Sequence, residues 1–193
     1  MTELSEWFSA IGTIAASVVA IIIAFLPSIR RWYNRPEFSI EFENKEPFCR
    51  CTNLVSGEKA YWIRLRVKNV GRSIARGCEG KLVRVTDANM KKGRKDFDPV
   101  ALRWASTQRY EPIAINKTEY EYLDLVMRKT NDKRVVHIVA DATLLRGINL
   151  DPPLTDYIFH IIIYGENVEP LEKSYYYKTH LLYDKDELSE YKA

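Results

Sequence analysis

Histidines, cysteines and two runs of cations are the residues of this 193-residue chain with most chemistry to offer. His137, His160 and His180 fall on three different predicted strands. On neighbouring strands with their faces in agreement they would form an imidazole set suited to a tetrahedral metal. The plainer role is three strand histidines with separate hydrogen-bond partners, and His160, in phase with Ile158 and Ile162, is expected among packed side chains. Cys49 and Cys51 of "CRC" sit at i and i+2 on one strand face. That is further apart than a disulfide tolerates, and only Cys78 remains as another thiol. Small core residues are the expected role. Glu119 with Glu121, and Asp96 with Asp98, repeat the i, i+2 spacing and read as a solvated strand face and a turn.

Catalytic signatures are missing. The chain contains no "GxxxxGK", "GxGxxG", "HExxH" or "GxSxG". The expectation is therefore a non-enzymatic protein with no catalytic residue, no cofactor and no bound metal.

The cation runs carry more information. "KKGRK" places Lys91, Lys92, Arg94 and Lys95 in one loop, and "RKTNDKR" places Arg128, Lys129, Lys133 and Arg134 in another. If strands alternate up and down from an outgoing strand at Phe38, counting turns puts both loops at the membrane-facing end of the domain. There they would meet anionic headgroups, worth roughly 1 kcal/mol per cation near the surface. Two solvated hairpin loops are the plain alternative. A phosphate-bearing ligand, such as a nucleotide or nucleic acid, is a third; without interleaved stacking residues, nucleic acid ranks last.

A membrane enters the argument through the first element. From Trp7 to Leu26 run about 20 residues without charge or proline, enough at 1.5 Å each to span a hydrocarbon core roughly 30 Å thick. A secretory signal would need a positive n-region, whereas Glu3 and Glu6 precede the run and no Lys or Arg does. The run is read as an uncleaved anchor. Arg30, Arg31 and Arg35 follow it and predict an inner (plasma) membrane, single-pass topology with the N-terminus outside and the C-terminal domain cytoplasmic. An N-in anchor with an exported domain is the alternative. Three cysteines without a paired framework suit the reducing side. Trp7, Trp32 and Tyr33 bracket the run as interfacial anchors. Ser9, Gly12, Thr13, Ala16, Ser17 and Ala20 fall on one side of the helix. Gly12-x3-Ala16-x3-Ala20 is the small-xxx-small spacing that lets two backbones approach, so a homo-oligomer through this helix is expected. A plain anchor with incidental small residues is the alternative.

After Pro36 the period changes to two. "FSIEFE" alternates, "EPFCRCTN" gives a short second strand, and "AYWIRLRVKN" puts Tyr61, Ile63, Leu65 and Val67 opposite Arg64, Arg66 and Lys68. "ARGCEGKLVRV", "DPVALRWAS", "EPIAINKTEYEYLDLVM", "KRVVHIVADATL", "DYIFHIIIYGEN" and "KSYYYKTHLLYD" supply further candidates. Ile158 to Tyr164 is apolar on both faces, as a central strand would be. Eight or nine short strands between turn signals predict a mainly β domain, an antiparallel β-sandwich. The expected organisation is an anchor with its basic flank over 1–35, a sandwich over 36–185 and a short tail over 186–193 that forms a helix or frays. All 29 Lys and Arg follow the anchor's apolar run, while Glu3 and Glu6 precede it, so the domain is mildly basic.

The segment "WIRLRVKNVGRSIARGCEGKLVRV", a strand, an Asn-x-Gly turn with Ala soon after, and a return strand, resembles the CARDB-type immunoglobulin-like modules. With "GTIAA" in the anchor and "PVALRWA" later, the chain is also similar to prokaryotic single-pass membrane proteins of that build. The resemblance covers the anchor and about half the domain. It implies an immunoglobulin-like fold and carries over no catalytic residues. Two functions are expected from these readings. One is a membrane-anchored, cytoplasmic sandwich that binds membrane lipid, a protein or a phosphate-bearing ligand and oligomerises through its helix. The other is a ligand-gated effector of the prokaryotic immune type that perturbs the membrane when its sandwich senses a phosphate-bearing ligand.

Overall fold

The opening apolar run is helical well beyond its charge-free stretch. In the computed structural model α1 spans Thr2–Tyr33 and carries Pro27 inside it, with Arg30 and Arg31 in the last turn. Proline removes one backbone donor there without ending the helix. The stretch Ile11–Tyr33 is long and apolar enough to cross a membrane, and Ile14, Ile22 and Phe25 are exposed along it. The structure describes residues 2–88, 99–131, 135–141, 156–180 and 182–192. They divide into two units, Met1–Arg35 and Pro36–Ala193.

The second unit is mainly β, a sandwich of two antiparallel sheets. Its strands are β1 (Phe38–Glu41), β2 (Cys49–Asn53), β3 (Lys59–Asn69), β4 (Ala75–Asp87), β5 (Val100–Ala101), β6 (Arg103–Trp104), β7 (Ile113–Ile115), β8 (Tyr120–Lys129), β9 (His137–Ile138), β10 (Tyr157–Tyr164), β11 (Leu171–Lys178) and β12 (Glu187–Glu190). One sheet runs β1-β3-β8-β6, with β2 sharing the β1 edge of β3 and β9 the β6 edge of β8. The other runs β12-β11-β10-β4-β5, with β7 on the free edge of β4. The chain crosses between sheets after β3, after β5, on either side of β7 and between β9 and β10, and the strand orders are the A-B-E-D and G-F-C-C′ of an immunoglobulin-like sandwich.

Alternation on β3 and β8 builds the core. Ile63, Leu65 and Val67 point inward with Leu123 and Leu125, and meet Leu82, Val85, Phe159, Ile161 and Ile163 of the facing sheet. β10 is buried on both faces and pairs with β4 on one side and β11 on the other, as its continuous apolar run predicts. Gly80 is required by this packing, because a Cβ there would stand 2.4 Å from Leu123 Cδ2.

The Asn-x-Gly turn after β3 has a physical purpose. Buried Asn69 donates through Nδ2 to the carbonyls of Ser73 (2.8 Å) and Ile115 (3.0 Å), and its Oδ1 accepts from the Gly71 amide at 3.1 Å. At Gly71 a Cβ would lie 2.3 Å from the Glu37 nitrogen and 2.5 Å from Pro36. The turn thus grips the chain where the sandwich begins.

The last segment departs from expectation. Residues 186–193 were expected as a helix or a frayed tail, but β12 pairs with β11 over Tyr175↔Glu190 to Lys178↔Glu187. Leu188 is buried in the core. Its backbone amide and carbonyl both bond the Asn44 side chain, at 3.0 Å each, so a side chain from the β1–β2 connection closes part of the outer edge of β12. The tail belongs to the sandwich.

Candidate functional site

Residues opposite each other in an antiparallel pair share a face. On the outer face of the β1-β3-β8-β6 sheet this aligns Arg103, Asp124 and Arg64 in one row across β6, β8 and β3. The next row holds Tyr122, Arg66 and Glu41, and the row before it Met127, Trp62 and Arg50. Along the outer face of β3 the ring of Trp62 is thus followed by three cations, Arg64, Arg66 and Lys68.

Asp124 is the centre of this face. It is fully buried (0 %), whereas Arg64 and Arg103 keep 16 % and 21 % of their side chains exposed. Arg103 donates Nε and Nη2 to Asp124 Oδ2 at 2.9 and 2.6 Å. Arg64 Nε stands 2.8 Å from Oδ1, close enough for an ion pair but off the hydrogen-bond line. Both guanidiniums also lie by the Trp62 indole, 4.6 Å (Arg103) and 5.7 Å (Arg64) from the ring centroid. That ring is itself fixed, since Nε1–H donates to Thr52 Oγ1 at 2.8 Å. The carboxylate and the ring together hold two planar cations that still touch water, each contact contributing on the order of 1 kcal/mol. Arg66 repeats the pattern, bonding Glu41 Oε2 through Nε at 2.9 Å with Phe48 and Tyr120 rings at 5.0 and 5.1 Å. Burial pushes the Tyr110 and Tyr122 phenols above their ordinary range, with Arg103 and Arg66 respectively pulling them back. Both remain neutral donors near neutral pH.

A β-bulge makes this face possible. Ile63 pairs with Val126 but Arg64 pairs with Asp124, so Leu125 is an extra residue on β8. Leu123, Leu125 and Val126 can all face the core while Asp124 and Met127 face out. Downstream, the same shift turns Arg128 inward.

Arg128 accordingly leaves the predicted cation loop. It lies on β8, 1 % exposed, and donates Nη1 to Asp186 Oδ1 (2.8 Å), Asp186 Oδ2 (2.7 Å) and the His180 carbonyl (2.9 Å). Tyr177 OH donates to Asp186 Oδ2 at 2.6 Å and the His180 amide to Oδ1 at 2.8 Å. A residue so enclosed cannot meet a headgroup. Lys129 ends the strand in an ion pair with Glu58 at 2.8 Å. Lys91, Lys92, Arg94, Lys95, Lys133 and Arg134 lie outside the described residues, as do Asp96 and Asp98.

The strand ends that flank these runs do not lie at the end that turn counting predicts. Phe38 pairs with Asn69, Lys68 with Tyr120 and Tyr157 with Asp87. β4 and β8 therefore run away from the Pro36 end and stop, at Asp87 and Lys129, at the opposite pole. The turn count fails because β1 and β2 both run antiparallel to β3 along its same edge, so the chain does not reverse between them.

Arg30, Arg31 and Arg35 are exposed at the end of the first unit, Arg35 with its guanidinium 6.0 Å from the Trp32 centroid. Of the proposed helix face, Gly12 has no neighbour within 4 Å of a built Cβ, and Thr13, Ala16, Ser17 and Ala20 are exposed. Ser17 Oγ donates to the Thr13 carbonyl at 2.8 Å within its own helix. The Ser9 side chain lies outside the described residues.

The histidines do not converge. His137 pairs with Met127 on the outer face of one sheet, and His160 lies on the outer face of the other, bonded to Ser174 Oγ at 2.9 Å. His180 follows β11. Among the described residues no group of three His, Cys, Asp or Glu is placed to hold a metal. Cys49 and Cys78 are buried and Cys51 exposed. Burial raises both buried thiols, Cys78 to about 11, which keeps it protonated.

The arginine row was half visible in sequence. Arg64, Arg66 and Lys68 read as the outward face of β3, but nothing there indicated that Asp124 and Arg103 would stand beside them. The usable signal is an Asp in phase with Tyr120 and Tyr122. Compared with protein-family models, curated proteins and solved structures, the chain shows no significant match to any.

Proposed function

We propose that this protein is a membrane-anchored binding module without catalytic activity, in which α1 holds the sandwich at the inner membrane and the outer face of the β1-β3-β8-β6 sheet receives an anionic partner. The N-terminus lies outside, the sandwich is cytoplasmic, and α1 self-associates through Gly12, Ala16 and Ala20. The observation that carries the binding function is the pair of half-sealed guanidiniums beside Trp62 and Asp124. Their planes are fixed, their donors reach water, and their charge exceeds that of the carboxylate between them. Pre-positioned donors lose little entropy on binding.

Anchoring is tested by alkaline carbonate extraction of cell membranes, which should leave the full chain in the pellet. Recovery in the supernatant would remove the tether from this reading. Cross-linking in membranes should fall in Gly12→Leu with Ala16→Leu while membrane retention is unchanged.

A further inference from the structure

The chemistry of the outer face narrows the partner. A guanidinium has five N–H donors. Arg103 spends Nε and Nη2 on Asp124 Oδ2, and Arg64 turns Nε toward Oδ1. Among the described residues Arg103 Nη1 and both Nη groups of Arg64 have no hydrogen-bond partner, and these two side chains are the partly exposed members of the row. One carboxylate against two guanidiniums leaves a positive excess; of the neighbouring rows one adds Arg50, and the other holds Arg66 with its own partner Glu41. The ring beside this row does not offer a stacking platform for a base: Trp62 is buried against the two arginines, and the exposed Tyr120 lies two rows away, beyond Arg66. Donors without a free ring favour an oxyanion over a nucleobase. A carboxylate offers one edge that a single fork satisfies, while a phosphate group has enough oxygens to engage two guanidiniums together.

We infer that Arg64 and Arg103, oriented by buried Asp124 and by Trp62, form a receptor for a phosphate group on the outer face of the sandwich. This rests on the reading above that this face is where the domain binds. Arg64 and Arg103 contact the phosphate oxygens. Asp124 is a positioning residue that fixes their forks and does not touch the ligand. The phosphate belongs either to a lipid headgroup or to a free phosphate compound, and the chemistry of contact is the same for both.

The test is calorimetric titration of the full chain in detergent micelles at low salt, with inorganic pyrophosphate in one arm and a short-chain phosphoinositide in the other. Saturable binding of either probe is expected, weakening at least tenfold in Arg64→Lys with Arg103→Lys. Those variants keep charge and a partner for Asp124 but lose the fork, so an unchanged melting temperature shows that the fold is intact. Tighter binding of the phosphoinositide assigns a lipid source, and equal or tighter binding of pyrophosphate assigns a free phosphate compound. No saturable heat from either probe, or equal affinity in the Lys variants, overturns the receptor. Failure of the tether reading shows separately, in carbonate extraction.

Discussion

Among the described residues of this sandwich two aspartates are fully buried and face arginine, yet they differ in almost everything else. Asp186 meets one arginine, Arg128, in an enclosed site where Tyr177 OH and the His180 amide complete its lone pairs. Asp124 meets two arginines that remain in contact with water, and its Oδ1 has a close cation but no aligned hydrogen bond. A sealed one-to-one pair neutralises itself and ties β12 to β8. A two-to-one row on an outer face keeps positive charge facing solvent. The first arrangement serves the fold, and the second is the one proposed to receive a partner.

Stability should separate the two most strongly. Asp186→Asn takes the carboxylate away from the enclosed Arg128 guanidinium, and breaking a buried pair in this way costs about 3–5 kcal/mol. Thermal denaturation followed by near-ultraviolet circular dichroism should register a melting point lower by on the order of 10 °C. Arg128→Met combined with Asp186→Leu should recover much of that loss, because it removes both charges together. A double variant as unstable as the single one would mean that the pair does more than neutralise itself.

Asp124→Asn should cost about 1–2 kcal/mol, since the freed guanidiniums can turn to water. A loss equal to that of Asp186→Asn would erase the distinction between the sites. Tyr177→Phe removes one hydrogen bond from the enclosed pair, for about 1 kcal/mol in the same melt. Burial and the neighbouring Asp186 hold that phenol well above its ordinary range, so the variant should not alter the pH dependence of stability below pH 9 or so.

The smallest effect belongs to His160, a polar group on the outer face of the other sheet. Burial, then Arg84, lowers its pKa below 6.5. The unfolded chain therefore takes up a proton that the folded chain resists, and stability falls as pH drops below about 6.5. His160→Gln should flatten the melting point against pH between about pH 7 and 5. An unchanged slope would place the titration elsewhere.

Local pattern made much of this fold legible. The charge-free stretch from Trp7 announced a helix, the alternation of Ile63, Leu65 and Val67 announced β3, and Ile158 to Tyr164 announced a strand covered on both faces. What remained hidden depends on pairing. The extra residue at Leu125 moves every later side chain of β8 to the other face, so Arg128, outwardly part of a basic run, enters the interior. The shared edge of β1 and β2 removes one reversal, so β4 and β8 end at the pole opposite to the one that turn counting predicts. Asp186 looked like part of a charged tail until Arg128 stood opposite it. Each case needs the partner strand, and no period along one segment contains it.

The claim that the outer arginines are presented while the inner one is sealed can be measured on one spectrum. Nitrogen-15 NMR of arginine Nε–H groups in the full chain, in micelles, reads each guanidinium separately. The account predicts no response to pyrophosphate at Arg128 and saturable shifts at Arg64 and Arg103, whose Nη groups take the anion while Nε stays on Asp124. Shifts at Arg128, or an unresponsive Arg64 and Arg103, would contradict it.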